Sequence, residues 1–139
     1  MRFSWKDKYY SVRNFFFPRQ RWLLKALPKH WTDKDEVIRL CLYQCIVHFI
    51  EDEKCFEVID WNYTAEQQEA KKKILEIYDW IKTGRPKLER DYWNSYPEAG
   101  QRGTYDELYK EVNRLEALID IMDTGYLTWI VENRRFLWT

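Results

Sequence analysis

The chain has 139 residues with 23 Lys and Arg against 23 Asp and Glu; this zero net charge argues against generic duplex DNA binding, which needs surplus cations to displace counterions from phosphate. Its length fits one domain, able to bury about two thirds of the unfolded chain's surface without a disulfide or metal. Eight Trp, ten Tyr and seven Phe exclude a disordered chain and leave rings over for the surface, where Trp and Tyr serve interfaces or stack on ligands.

Residues 1–14 mix Trp5, Tyr9 and Tyr10 with Arg2, Lys6, Lys8 and Arg13. They read as an extended arm or short strand, and they lack the unbroken apolar run of a signal peptide. The bundle is expected over 15–139. Phe15, Phe16 and Phe17 lead into Pro18, which suits a first helical position and predicts a short helix to Leu27, closed by Pro28. Thr32 and Asp33 are caps, and Asp35 and Glu36 place acids in the next first turn. That helix is predicted from about Asp33 to Glu57. Its middle, VIRLCLYQCIVHFI, is apolar almost all round, as in a central or interface helix. Cys41, Cys45 and Cys55 fall within it; an odd number of thiols on one helix suits a reducing compartment.

Trp61–Tyr63 is a break. Thr64 with Gln67 predicts a capping box and a helix to Lys82, with Ile74, Ile77, Tyr78 and Ile81 on one face. Gly84 reads as a left-handed stop and Pro86 as a restart. RPKLERDYWNSYP predicts a shorter helix ending before Pro97, and PEAGQRG a loop. Thr104 with Glu107 is a second capping box. Leu108, Val112, Leu115, Ile119, Met122, Tyr126 and Trp129 then alternate spacings of four and three, a heptad seam that wants a neighbouring helix from this chain or a second subunit. Gly125 is a point where the helix could bend. The expected fold is all-α: about five helices in a small bundle with an extended N-terminal arm. No apolar run approaches the 18 residues of a membrane span.

Phosphate loops, nucleophile elbows, HExxH, GxGxxG and paired CxxC motifs are absent from the sequence. Two constellations stand in their place. Glu53 and Glu57 extend the central helix's stripe, and Glu116, Asp120 and Asp123 flank the seam. If those helices packed antiparallel, Glu53, Glu57, Glu116 and Asp120 could form a catalytic set, with Asp123 as a further ligand to Mg²⁺ or Mn²⁺. The pattern is similar to the all-α nucleoside triphosphate pyrophosphohydrolases, with their E-x-x-E and E-x-x-D signatures. It departs from them in spacing: Glu53 and Glu57 are four apart, as are Glu116 and Asp120, and the correctly spaced Asp120–Asp123 pair begins with Asp. The second constellation is basic and aromatic. Arg85, Lys87, Arg90 and Trp93, with Arg134, Arg135 and Trp138, supply guanidinium forks and rings for a nucleotide-like ligand or a protein partner. His48, one turn after Cys45 and near Glu51, reads as a buried, hydrogen-bonded histidine rather than a metal ligand or acid–base group.

The stretches FFFPRQRWLLKALPKHW, CIVHFIEDEKCFE, IKTGRPKL and TGYLTWIVENRRFLWT resemble uncharacterised small helical proteins of tailed bacteriophages. The resemblance covers most of the chain, carries no activity and transfers no functional residue. It implies action in the host bacterial cytoplasm, or in the virion. The leading expectation is a non-enzymatic, cofactor-free binding protein, homo-oligomeric, acting in the infected cell. It would engage a host protein or sequester a nucleotide-like ligand, with an anti-defence role. The alternatives are a metal-dependent nucleotide hydrolase using the acids above and a structural virion accessory.

Overall fold

In a computed structural model, which describes residues 5–16 and 20–137, the described chain is built from helices and contains no strand. Seven α-helices follow in order: α1 (Trp5–Phe16), α2 (Arg21–Leu24), α3 (Lys34–Glu51), α4 (Cys55–Val58), α5 (Ala65–Asp79), α6 (Arg85–Asn94) and α7 (Tyr105–Glu132). Five of them have ten residues or more. Among the described residues no helix is long and apolar enough to cross a membrane.

The longest, α7, starts as its sequence dictates. Thr104 Oγ1 accepts from Glu107 N at 3.3 Å and Glu107 Oε2 accepts from Thr104 N at 3.1 Å. It then runs unbroken through Gly125 for 28 residues, about 42 Å of helix. Its buried stripe is Val112, Leu115, Asp123, Tyr126 and Ile130, whereas Leu108, Ile119, Met122 and Trp129 of the expected seam are half-buried. The stripe slips by one residue because a straight helix turns every 3.6 residues and falls behind a strict heptad. The neighbours of the seam are α3 and α6 of the same chain. Tyr43, Ile46 and Phe49 of α3, Ile74 and Ile77 of α5, and Trp61, Trp80, Tyr126 and Ile130 make the core.

Four sequence expectations need correction. Residues 5–16 are helical, not extended: Trp5, Tyr9, Val12 and Phe16 recur at helical spacing, although none of the twelve residues is buried. Of the helix expected from Pro18 to Leu27, Pro18 and Arg19 lie outside the described residues, and among those described only Arg21–Leu24 are helical, with turns behind them. The central helix stops at Glu51, where the His48 carbonyl accepts from both Asp52 N and Glu53 N. Lys54 then turns left-handed (φ 54°) into α4. The run Glu51–Lys54 offers the core nothing apolar, and the turn brings Cys55 and Trp61 inward, with Trp61 Nε1 donating to the Cys55 carbonyl at 2.9 Å. Cys55, Glu53 and Glu57 therefore leave the helix that carries Cys41 and Cys45. Finally, Gly84 is no left-handed stop. It is right-handed helical (φ −65°), and a π-turn over Trp80–Gly84 joins α5 to α6. A Cβ on Gly84 would lie 2.8 Å from Trp80 Cε3, so the glycine admits the Trp80 ring. Thr64 caps α5 through Gln67 N at 3.1 Å, which is one half of the expected box; the Gln67 side chain meets Thr64 Oγ1 instead of its backbone N–H.

Candidate functional site

Asp123 shows how the three long helices around it are tied. It is 7% exposed and sits in the buried stripe of α7, where a hydrophobe is usual. A buried carboxylate needs hydrogen bonds and a countercharge. Oδ1 accepts from Tyr43 Oη of α3 and from Trp80 Nε1 at 3.0 Å; Oδ2 accepts from Arg85 Nε of α6 at 2.9 Å. Burial, then the Asp123 hydrogen bond, push the Tyr43 phenol well above its ordinary range, which keeps it a donor. Arg85 Nη1 also pairs with Glu89.

Above this node lies a groove of about 770 Å³. From α3 it takes Asp35, Glu36 and Arg39; from α6, Arg85, Glu89, Tyr92 and Trp93; from α7, a strip running from Asn113 to Leu127. Its cations are already engaged: Arg39 with Glu36, and Arg85 with Asp123 and Glu89. Its acids outnumber them. Asp35, Glu116 and Asp120 line the groove and form no ion pair with a cation among the described residues. One wall is aromatic. Trp93, 67% exposed, stacks on Tyr96 at 5.5 Å between ring centres, and the array continues edge-on to Tyr109, which stacks on Tyr105 at 4.5 Å. Tyr92 shares a 2.8 Å hydroxyl contact with Tyr96, which, more than burial, pushes its phenol up to about 12.

The structure divides the sequence candidates. Arg85 and Trp93 reach the groove; Lys87 and Arg90 are exposed on α6 and do not line it. Arg134 Nη1 donates to the Val131 carbonyl at 2.7 Å, and Arg135 Nη2 reaches Glu66 at 3.3 Å beside a separate hollow lined by Trp129 and Lys73. Trp138 lies outside the described residues. Of the acids, Glu116, Asp120 and Asp123 share the groove, but Glu53 lies 3.5 Å from His48 and Glu57 sits on α4. Among the described residues no three His, Cys, Asp or Glu side chains are placed to share a metal ion.

Sequence reasoning missed Asp35, Glu36, Arg39 and Glu89. The i,i+3 and i,i+4 pairs Glu36–Arg39 and Arg85–Glu89 were visible signals; their convergence needed the α3–α6–α7 packing. His48 is half-buried rather than buried; it is hydrogen-bonded as expected, to Asp52 at 2.7 Å, and its ring lies flat on Trp22 of α2 at 4.1 Å. That stack fastens α2 to α3.

Compared with protein-family models, curated proteins and solved structures, the chain matches none.

Proposed function

We propose that this is a binding protein rather than a catalyst, and that its working surface is the groove between α3, α6 and α7. The observation that carries this is the groove's charge: three carboxylates without a countercharge among the described residues, two arginines already engaged, and an exposed indole alongside. Such a surface attracts a cationic segment of a partner protein, with Trp93 offering a ring face to Lys or Arg. It repels phosphate, which would meet Asp35, Glu116 and Asp120 before any free guanidinium. Of the two ligand classes the sequence suggests, the protein partner is therefore favoured over the nucleotide. Joined to the bacteriophage resemblance, that partner is a protein of the infected cell.

The test is titration of the full chain, held below the concentration at which it self-associates, with an arginine- and lysine-rich decapeptide, with ATP and a cyclic dinucleotide as comparators. The peptide is expected to bind, and Glu116→Lys with Asp120→Lys to weaken it at least tenfold. Nucleotide binding without peptide binding would overturn the reading.

A further inference from the structure

The zero net charge conceals a division. Residues 1–31 hold eight of the 23 cations and one of the 23 acids; the remainder holds 15 cations and 22 acids. The basic part includes α1, whose apolar residues Trp5, Tyr9, Val12 and Phe16 follow spacings of four, three and four. On a helix they form one stripe. Lys8 and Arg13 flank that stripe, one on each side, and Asp7, Ser11 and Asn14 take the opposite face. Lys8 lies over the Trp5 ring and Arg13 over Tyr10, each at 5.7 Å. Yet α1 buries no residue: Trp5 is 87% exposed and Phe16 65%. A twelve-residue helix is marginal in water by itself and draws its stability from packing its apolar face.

We propose that α1 of a second copy occupies the groove, so that two chains exchange their N-terminal helices. The proposal rests on the groove reading above and names one occupant for it. The charges match: Lys8 and Arg13 complement a groove in which Asp35, Glu116 and Asp120 pair with no cation among the described residues. The lengths match: the α7 strip from Asn113 to Leu127 spans about 21 Å, and twelve residues of α1 about 18 Å. The surfaces match: Ala117, Ile119 and Leu127 give an apolar floor and Trp93 an aromatic wall. In its own chain α1 leaves the groove uncovered. Exchange around a two-fold axis fills both grooves and closes the assembly at two copies. A stripe flanked by cations also suits an anionic membrane, but the groove is favoured because the same chain supplies its complement.

Light scattering after gel filtration of the full chain at about 100 µM, a concentration that populates micromolar dimers, is expected to give a dimer. Lys8→Glu with Arg13→Glu should give monomers, as should Glu116→Lys with Asp120→Lys. An equimolar mixture of the two double variants should associate again, since each acidic α1 then meets a basic groove and each basic α1 an acidic one. All four positions are exposed, and circular dichroism checks that each variant is folded. A monomeric wild type, double variants that remain dimeric, or a mixture that stays monomeric overturns the exchange. So does a monomeric wild type that sediments with phosphatidylserine vesicles and loses this with Lys8→Glu and Arg13→Glu, which makes α1 a membrane ligand. The decapeptide separates the two readings. A monomeric wild type that binds it keeps the groove as a partner site and removes only the exchange. A swap-dependent dimer whose Lys8→Glu, Arg13→Glu form ignores the peptide keeps the exchange and removes only the foreign partner.

Discussion

A carboxylate in a buried helix stripe is tolerable only while each of its oxygens is satisfied, and Asp123 depends on Tyr43, Trp80 and Arg85 together. Asp123→Ala strands a half-buried guanidinium and two donors, so we expect a loss of about 3–5 kcal/mol. Asp123→Asn keeps an acceptor for Tyr43 and Trp80 and removes the charge facing Arg85, for a smaller loss of about 1–3 kcal/mol. Urea unfolding of the two variants at unchanged m-value checks the order. Glu51 makes a second, pH-dependent tie: it accepts from Tyr78 Oη at 2.7 Å and pairs with Lys82 Nζ at 2.8 Å. The hydrogen bond from Lys82, then that from Tyr78, holds its carboxyl below the ordinary value. A depressed carboxyl stabilises the fold above its unfolded pKa, near 4.3, and that contribution disappears as pH falls through the folded value. Glu51→Gln should therefore lower the urea midpoint at pH 7 and lower it less at pH 3, where the carboxyl is losing its charge. An equal difference at both pH values would contradict this. The sequence showed Asp123 as an acid beside the seam; its burial was hidden because the partners come from residues 38, 43 and 80 positions away in sequence.

Glycine makes the sharpest test at the level of helices, because two of the four lie within helical backbone in opposite surroundings. A Cβ at Gly125 meets nothing within 4 Å, and Ala is the better helix former by about 1 kcal/mol. Gly125→Ala should stabilise by that amount. At Gly84 the same change drives a methyl into the buried Trp80 ring, and overpacking there should destabilise by about 1–3 kcal/mol. Thermal unfolding of both variants should show midpoints moving in opposite directions. The same contrast explains what the sequence revealed of the elements. Caps and apolar periods are local, so the starts of α5 and α7 and the extent of α6 were legible. The end of α3 and the π-turn were not, because each is set by a distant group: Trp61 needing the Cys55 carbonyl, and Trp80 needing room beside Asp123. Gly84 looked like a stop because a glycine after a helix usually is one; here its missing side chain is used for packing.

For the whole molecule, the bundle followed from composition and period, while the groove did not, since three helices must meet before Asp35, Glu116 and Asp120 share a surface with Trp93. Nor did net charge reveal the division between a basic N-terminal part and an acidic remainder. That division makes ionic strength diagnostic of what holds two copies together. Pairs of Lys8 and Arg13 with groove carboxylates lie at a solvated rim, where each contributes about 0.2–1 kcal/mol. Salt shortens the screening length from about 10 Å at 0.1 M to about 3 Å at 1 M and removes most of that contribution. Two cations in each of two grooves make four such pairs, about 2 kcal/mol at the middle of that range, or roughly a 30-fold weaker dimer at high salt. Sedimentation equilibrium across a sodium chloride series measures it. A dissociation constant unchanged by salt would remove the charge complementarity on which the exchange of α1 rests. The paired reversals at Lys8, Arg13, Glu116 and Asp120 would then have no effect on association.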